Sequence, residues 1–172
     1  MRLSRGRILG VSANVFFLGL VSFLTDVSSE MVFTLLPLFL LNVLGAGPAL
    51  IGLIEGVGEA TSTSLRLASG WLSDRLGKRK GLTAVGYSLS TVAKPFLYLA
   101  TTWGMVLGVR FADRLGKAIR TAPRDALLAD SSLPGERGRS FGLHRALDSY
   151  GAVVGLGLAA LVVFISQRGA VV

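Results

Sequence analysis

The sequence predicts an all-α integral membrane protein with five transmembrane helices. Three observations carry that prediction. Hydrophobic residues fill 51% of the 172 positions and the mean hydropathy is +0.62, too apolar for a water-facing domain of this size. The apolar residues gather in runs that approach or exceed the roughly 20 residues one crossing needs. The basic residues lie at the ends of those runs and along one helix face, so a net charge of +8 reflects topology and a polar interior instead of nucleic-acid binding.

The spans fall near 11–43, 50–72, 82–100, 103–124 and 141–165, within a single membrane domain covering 1–172. Arg2, Arg5 and Arg7 precede the first span as in a signal peptide, but the small-x-small cleavage pattern is missing, which predicts an uncleaved helix. This span is too long for one upright crossing. Its polar centre, Thr25 to Glu30, and Pro37 predict a tilted or locally broken helix. The turn Gly45-Ala46-Gly47-Pro48 follows, with Pro48 placed to open the second helix. Thr101 to Gly104 links the third and fourth spans and puts Trp103 at the interface. The fourth helix is expected to run beyond the membrane to about Asp130, with Pro134-Gly135 ending the segment. Two Gly-x-x-x-Gly pairs, Gly52/Gly56 and Gly151/Gly155, predict close helix packing.

Lys and Arg distribution orients the chain. The segments assigned to the inner side hold Arg2, Arg5, Arg7, Arg75, Lys78, Arg79, Lys80, Arg137 and Arg139, whereas the first two outer links hold none. The N-terminus is therefore expected in the cytoplasm and the C-terminus outside, with Arg168 the one dissenting cation. With no Cys and His144 as the single histidine, disulfide scaffolds, thiolate metal sites and histidine clusters are excluded. No catalytic residue, metal site or cofactor is predicted, and the chain reads as a non-enzyme.

Charges inside spans are costly, which makes them candidates for function. In the fourth span Arg110, Arg114, Lys117, Arg120 and Arg124 share one face with Asp113. Arg110, Arg114 and Lys117 are expected within the membrane, Arg120 and Arg124 near headgroups or water. In the second span Glu55, Glu59, Ser62 and Arg66 form another stripe, and the first span adds Asp26 and Glu30 one turn apart. These acids can neutralise the bases of the fourth helix, because an unpaired charge in low dielectric is far costlier than a hydrogen-bonded pair. A carboxylate so placed can exchange protons when a cation leaves its side, and Glu59 and Asp26 are the favoured carriers. Lys94 in the third span either charges an outer cavity or snorkels outward, and His144 lies one turn from Asp148 near the inner end.

The link between the second and third spans reads G-x-x-x-D-R-x-G-x-R-K, from Gly70 through Asp74, Arg75, Gly77, Lys78 and Arg79 to Lys80. With the acidic first span and the run Arg110 to Asp125, it resembles the N-terminal part of a major facilitator superfamily (MFS) transporter. The fourth-helix spacing departs from that family's usual motif, since Ala112 stands where an Arg is expected. The resemblance implies that Asp74, Arg75, Gly77 and Arg79 lock an inward-side gate, with Gly70 and Gly77 allowing packing and the turn. It also implies a small-molecule substrate moved by alternating access, a proton as coupling ion, and residence in the bilayer of a bacterial-type inner (plasma) membrane. Twelve spans at about 20 residues each exceed this chain. It is thus expected to be an incomplete N-terminal half of the fold, with the C-terminal half absent.

Other classes explain less. A voltage-sensor-like domain also pairs a basic helix with acids, but Asp113, Gly116 and Pro123 interrupt this one. A membrane enzyme using Asp113, Asp125 and Asp130 lacks a convergent metal spacing. A non-transporting membrane partner or relic remains the main alternative.

Overall fold

A computed structural model describes residues 7–169; the expectations resting on Arg2 and Arg5 lie outside them. The elements are a hairpin of β1 (Arg7–Ile8) and β2 (Val11–Ser12), then α1 (Ala13–Asn42), α2 (Pro48–Leu76), α3 (Arg79–Ala93), a 3-10 helix (Lys94–Leu99), α4 (Trp103–Ser131) and α5 (Arg137–Gly169). Five helical segments thus fall where five spans are expected.

α1 is one continuous helix of 30 residues, not a broken one. The polar centre does not interrupt it, because a hydroxyl can be satisfied within its own helix: Thr25 Oγ1 donates to the Val21 carbonyl at 2.8 Å. α2 opens with Pro48 in its first turn, as the sequence predicts, and closes on Gly77 at φ 62, whose N–H donates to the Ser73 carbonyl at 3.0 Å. The third span is α3 followed by 3-10 turns at Pro95, where the α-helical ladder cannot continue. α4 reaches Ser131, close to the expected end, with Pro123 inside it.

Among the described residues α1 and α5 are long and apolar enough to cross a membrane by themselves. Only 22% and 17% of their most apolar windows is buried, so Phe17, Leu24, Val153 and Phe164 point outward. These outward apolar side chains suit lipid or further helices. α2 and α4 carry the charge stripes, which dilute their hydropathy.

The chain divides into two compact units. One comprises residues up to Leu36 and from Leu128 onward. In it Val11, Val15 and Leu128 form a core with Phe16, Leu18, Phe141 and Leu143 packed against it. α1 and α5 lie in close contact: a Cβ at Gly151 would fall 2.6 Å from the Phe23 carbonyl oxygen, and one at Gly155 2.6 Å from that of Val27. Leu147 likewise occupies the space beside Gly19. These pairs advance together by one helical turn, so the two helices run parallel. The hairpin is held at its tip, where Leu9 and Gly10 both have positive φ. Arg139 donates to the Leu9 carbonyl at 3.0 Å and covers Gly10, and Arg7 pairs with Glu136. Hydrogen bonding and charge from Glu136 push the Arg7 pKa up.

The other unit runs from Pro37 to Leu127. Here α2 and α4 run parallel, with Glu55 facing Arg110, Glu59 facing Arg114 and Gly70 facing Ala122. α3 and α4 cross where Gly86 and Gly116 meet: a Cβ on either would sit 2.6 to 2.7 Å from an atom of the facing helix. Contacts from Gly86 to Arg120 and from Ser90 to Asp113 run in opposite senses, so this pair is antiparallel.

Candidate functional site

The sequence-predicted charges of α2 and α4 come together in the second unit. Arg110, 4% exposed, donates to a Glu55 carboxylate oxygen. One turn on, Arg114 approaches Glu59 at 3.9 Å. Gly58 makes room for both arginine stems, since a Cβ there would lie 3.3 Å from Arg110 Cγ and 3.4 Å from Arg114 Cγ. Sequence reading passed over Gly58, although its place between Glu55 and Glu59 on the same helix was a usable signal. The ladder is graded: the Glu55 side chain is 38% exposed and that of Glu59 64%, so the acids open outward while the bases stay covered.

Asp113 is buried and accepts a hydrogen bond from the Ser90 hydroxyl of α3. Lys117 is half-buried on the same helix. Arg120 and Arg124 differ from expectation: both are buried rather than reaching headgroups or water. The Arg120 guanidinium lies over the Tyr87 ring at 4.4 Å, and Arg124 pairs with Asp125 at 3.0 Å. An aromatic face and a neighbouring acid compensate for lost hydration, which a stripe of bases alone does not reveal. Lys94 is also buried, so it does not snorkel.

Asp26 and Glu30 belong to the first unit. There each sits beside a glycine of α5: Asp26 Cβ would lie 3.2 Å from a Cβ at Gly151, Glu30 Cβ 2.8 Å from one at Gly155. His144, 2% exposed, has Nδ1 3.5 Å from an Asp148 carboxylate oxygen. The other glycine pair does not pack as expected, for Gly52 and Gly56 face open space.

The signature link is tighter than its sequence suggests. Gly70 through Leu76 remain helical, and only Gly77 and Lys78 separate α2 from α3. Asp74, largely exposed, pairs with Arg79 across the turn at 3.7 Å. The Arg75 guanidinium stacks on Trp71 at 5.2 Å, and Lys78 is exposed. Above the turn, Ser69 of α2 donates to the Ala118 carbonyl of α4 at 2.7 Å, fixing the two helices beside the link.

The sequence model of the Major Facilitator Superfamily matches residues 18–172. The chain therefore belongs to that superfamily, and it is a membrane protein. It is 40% identical over 157 residues to an uncharacterised MFS-type transporter of Methanocaldococcus jannaschii, covering 91% of this chain and 39% of that protein. It is also 40% identical over 116 residues to an uncharacterised protein of Mycobacterium tuberculosis, covering 67% of this chain and 28% of the relative. The multidrug resistance protein MdtH of Photorhabdus laumondii is 30% identical over 152 residues, covering 88% of this chain and 37% of MdtH. The chain thus spans less than half the length of these curated relatives. No solved structure matches it significantly.

Proposed function

We propose that this chain is the N-terminal portion of a secondary active transporter that exports a small solute by alternating access, coupled to protons. The observation that carries this reading is the Arg110–Glu55 and Arg114–Glu59 ladder, in which covered bases meet partly open acids between two parallel helices. Charges kept inside a helix bundle mark solute or proton pathways by default. Superfamily membership and the likeness to MdtH, a multidrug resistance protein, support transport and the choice of export. This reading assigns substrate and proton movement to Asp26 and Glu30 in the first unit and to Glu55, Glu59, Arg110, Asp113, Arg114 and Lys117 in the second. Gly70, Asp74, Arg75, Gly77, Lys78 and Arg79 form the gate on the inner side of a bacterial-type inner membrane, with the N-terminus in the cytoplasm. No chemical step on the solute is invoked, and the protein acts as a non-enzyme.

The test uses the complete reading frame that encodes this chain, expressed in everted membrane vesicles. Uptake of a lipophilic cationic dye and of an anionic dye is followed with and without an imposed proton gradient. Gradient-dependent uptake of either dye, lost in Glu59→Gln, is expected. Well-inserted protein that moves neither dye under any gradient sinks the reading and favours a non-transporting membrane partner.

A further inference from the structure

We infer that the second unit carries a binding site for an anionic phospholipid, with one acyl chain between α2, α3 and α4 and the headgroup on the cations of the α2–α3 turn. A cavity of about 170 Å³ opens between these helices, lined by Leu65, Ala68, Ser69, Leu72, Leu82, Leu115 and Ile119. Its single polar side chain, Ser69, already donates to the Ala118 carbonyl, so the walls offer an entering group nothing but apolar contact. A cavity of this volume among three helices has room for part of a hydrocarbon chain but not for a fourth helix, which needs a broad face to pack on.

Both flanking walls lead to positive charge. On α2 the lining positions 65, 68, 69 and 72 follow helical spacing, and the next positions on that stripe are Arg75 and Leu76. On α3 the lining residue Leu82 lies three and four residues after Arg79 and Lys78. Lys78 and Lys80 are exposed, and Arg75 is braced on Trp71. Asp74 is the one acid in this stretch, and it is engaged with Arg79. An apolar slot ending in the exposed cations Arg75, Lys78 and Lys80 matches a lipid with an anionic headgroup, since basic pockets between membrane helices select such headgroups. The inference is independent of which solute is carried and of whether anything is carried.

The test is native mass spectrometry of the purified full-length protein in detergent, titrated separately with dioleoyl phosphatidylglycerol and dioleoyl phosphatidylcholine. Phosphatidylglycerol is expected to give a discrete adduct that phosphatidylcholine does not. Lys78→Gln with Lys80→Gln should weaken that adduct roughly tenfold or more by removing two headgroup cations. Ala68→Phe, at an exposed position on the cavity rim, should abolish it by filling the slot without disturbing the core. Equal binding of both lipids overturns headgroup recognition. A full-strength adduct in Ala68→Phe overturns the acyl slot and reduces the interaction to charge at the turn. Cross-linking of a helix from elsewhere in the protein, or from a second copy, to position 68 overturns it as well.

Discussion

Arg110 and Glu55 share one ion pair but not one environment: the guanidinium is covered while the carboxylate keeps an open edge, with side-chain exposures of 5% and 38%. The two partners should therefore respond unequally to mutation. Glu55→Gln leaves a covered cation short of its acid, whereas Arg110→Met leaves an acid that water can still reach. We expect Glu55→Gln to destabilise by about 1–3 kcal/mol, below the 3–5 of a fully buried pair because Glu55 is partly hydrated and Arg110 has further partners. Arg110→Met should be milder. Thermal melting of both variants in detergent checks the order, and a larger loss in Arg110→Met contradicts it.

The two glycine pairs should separate in the same assay. Gly155→Leu drives a side chain into the Val27 carbonyl and should destabilise by about 1–3 kcal/mol or more. Gly56→Leu meets open space and should stay within about 0.5 kcal/mol. A large loss at Gly56 means that another helix covers that face in the complete protein.

Ser90→Ala removes the hydroxyl that donates to the buried Asp113 carboxylate. The expected loss is about 1–3 kcal/mol, the usual range for a buried polar group deprived of its partner. Equal melting of Ser90→Ala and the parent protein removes the hydrogen bond from any account of α3–α4 packing.

At the signature turn, Gly77→Leu puts a branched side chain at φ 62, a strain of about 1–2 kcal/mol, while Gly77→Asn should be tolerated. Asp74→Asn disturbs an exposed pair worth about 0–1 kcal/mol, so stability should barely change. In the complete protein both Gly77→Leu and Asp74→Asn are expected to insert normally yet slow dye transport. Unaltered transport in both sinks the gate assignment.

Helices were legible because apolar runs near membrane length leave the backbone little choice. Local motifs were less informative, and the pentapeptide Asp-Arg-Leu-Gly-Lys shows why. At 74–78 it ends a helix, with Gly77 left-handed; at 113–117 it lies in mid-helix, with Gly116 pressed against Gly86. The same residues serve two structures because the neighbouring chain decides whether the helix continues. Gly-x-x-x-Gly likewise states what packing is permitted, and only Gly151/Gly155 meets a partner helix among the described residues. The β1–β2 hairpin had no readable signal: its two-residue strands depend on Arg139 and Glu136, about 130 positions away. Charge pairing of α2 with α4 was anticipated from spacing, whereas the burial of Arg120 needed Tyr87, a contact no single-helix pattern contains.

The link of two residues between α2 and α3 limits how any motion there can occur. Gly77 closes one helix through its own N–H and Lys78 immediately precedes the next, so any change in the angle between α2 and α3 falls on the dihedrals of these two residues. The turn cannot serve as a swinging flap. It is the knuckle of a bracket, and a push on Asp74 or Arg79 reaches α2 and α3 through one short joint.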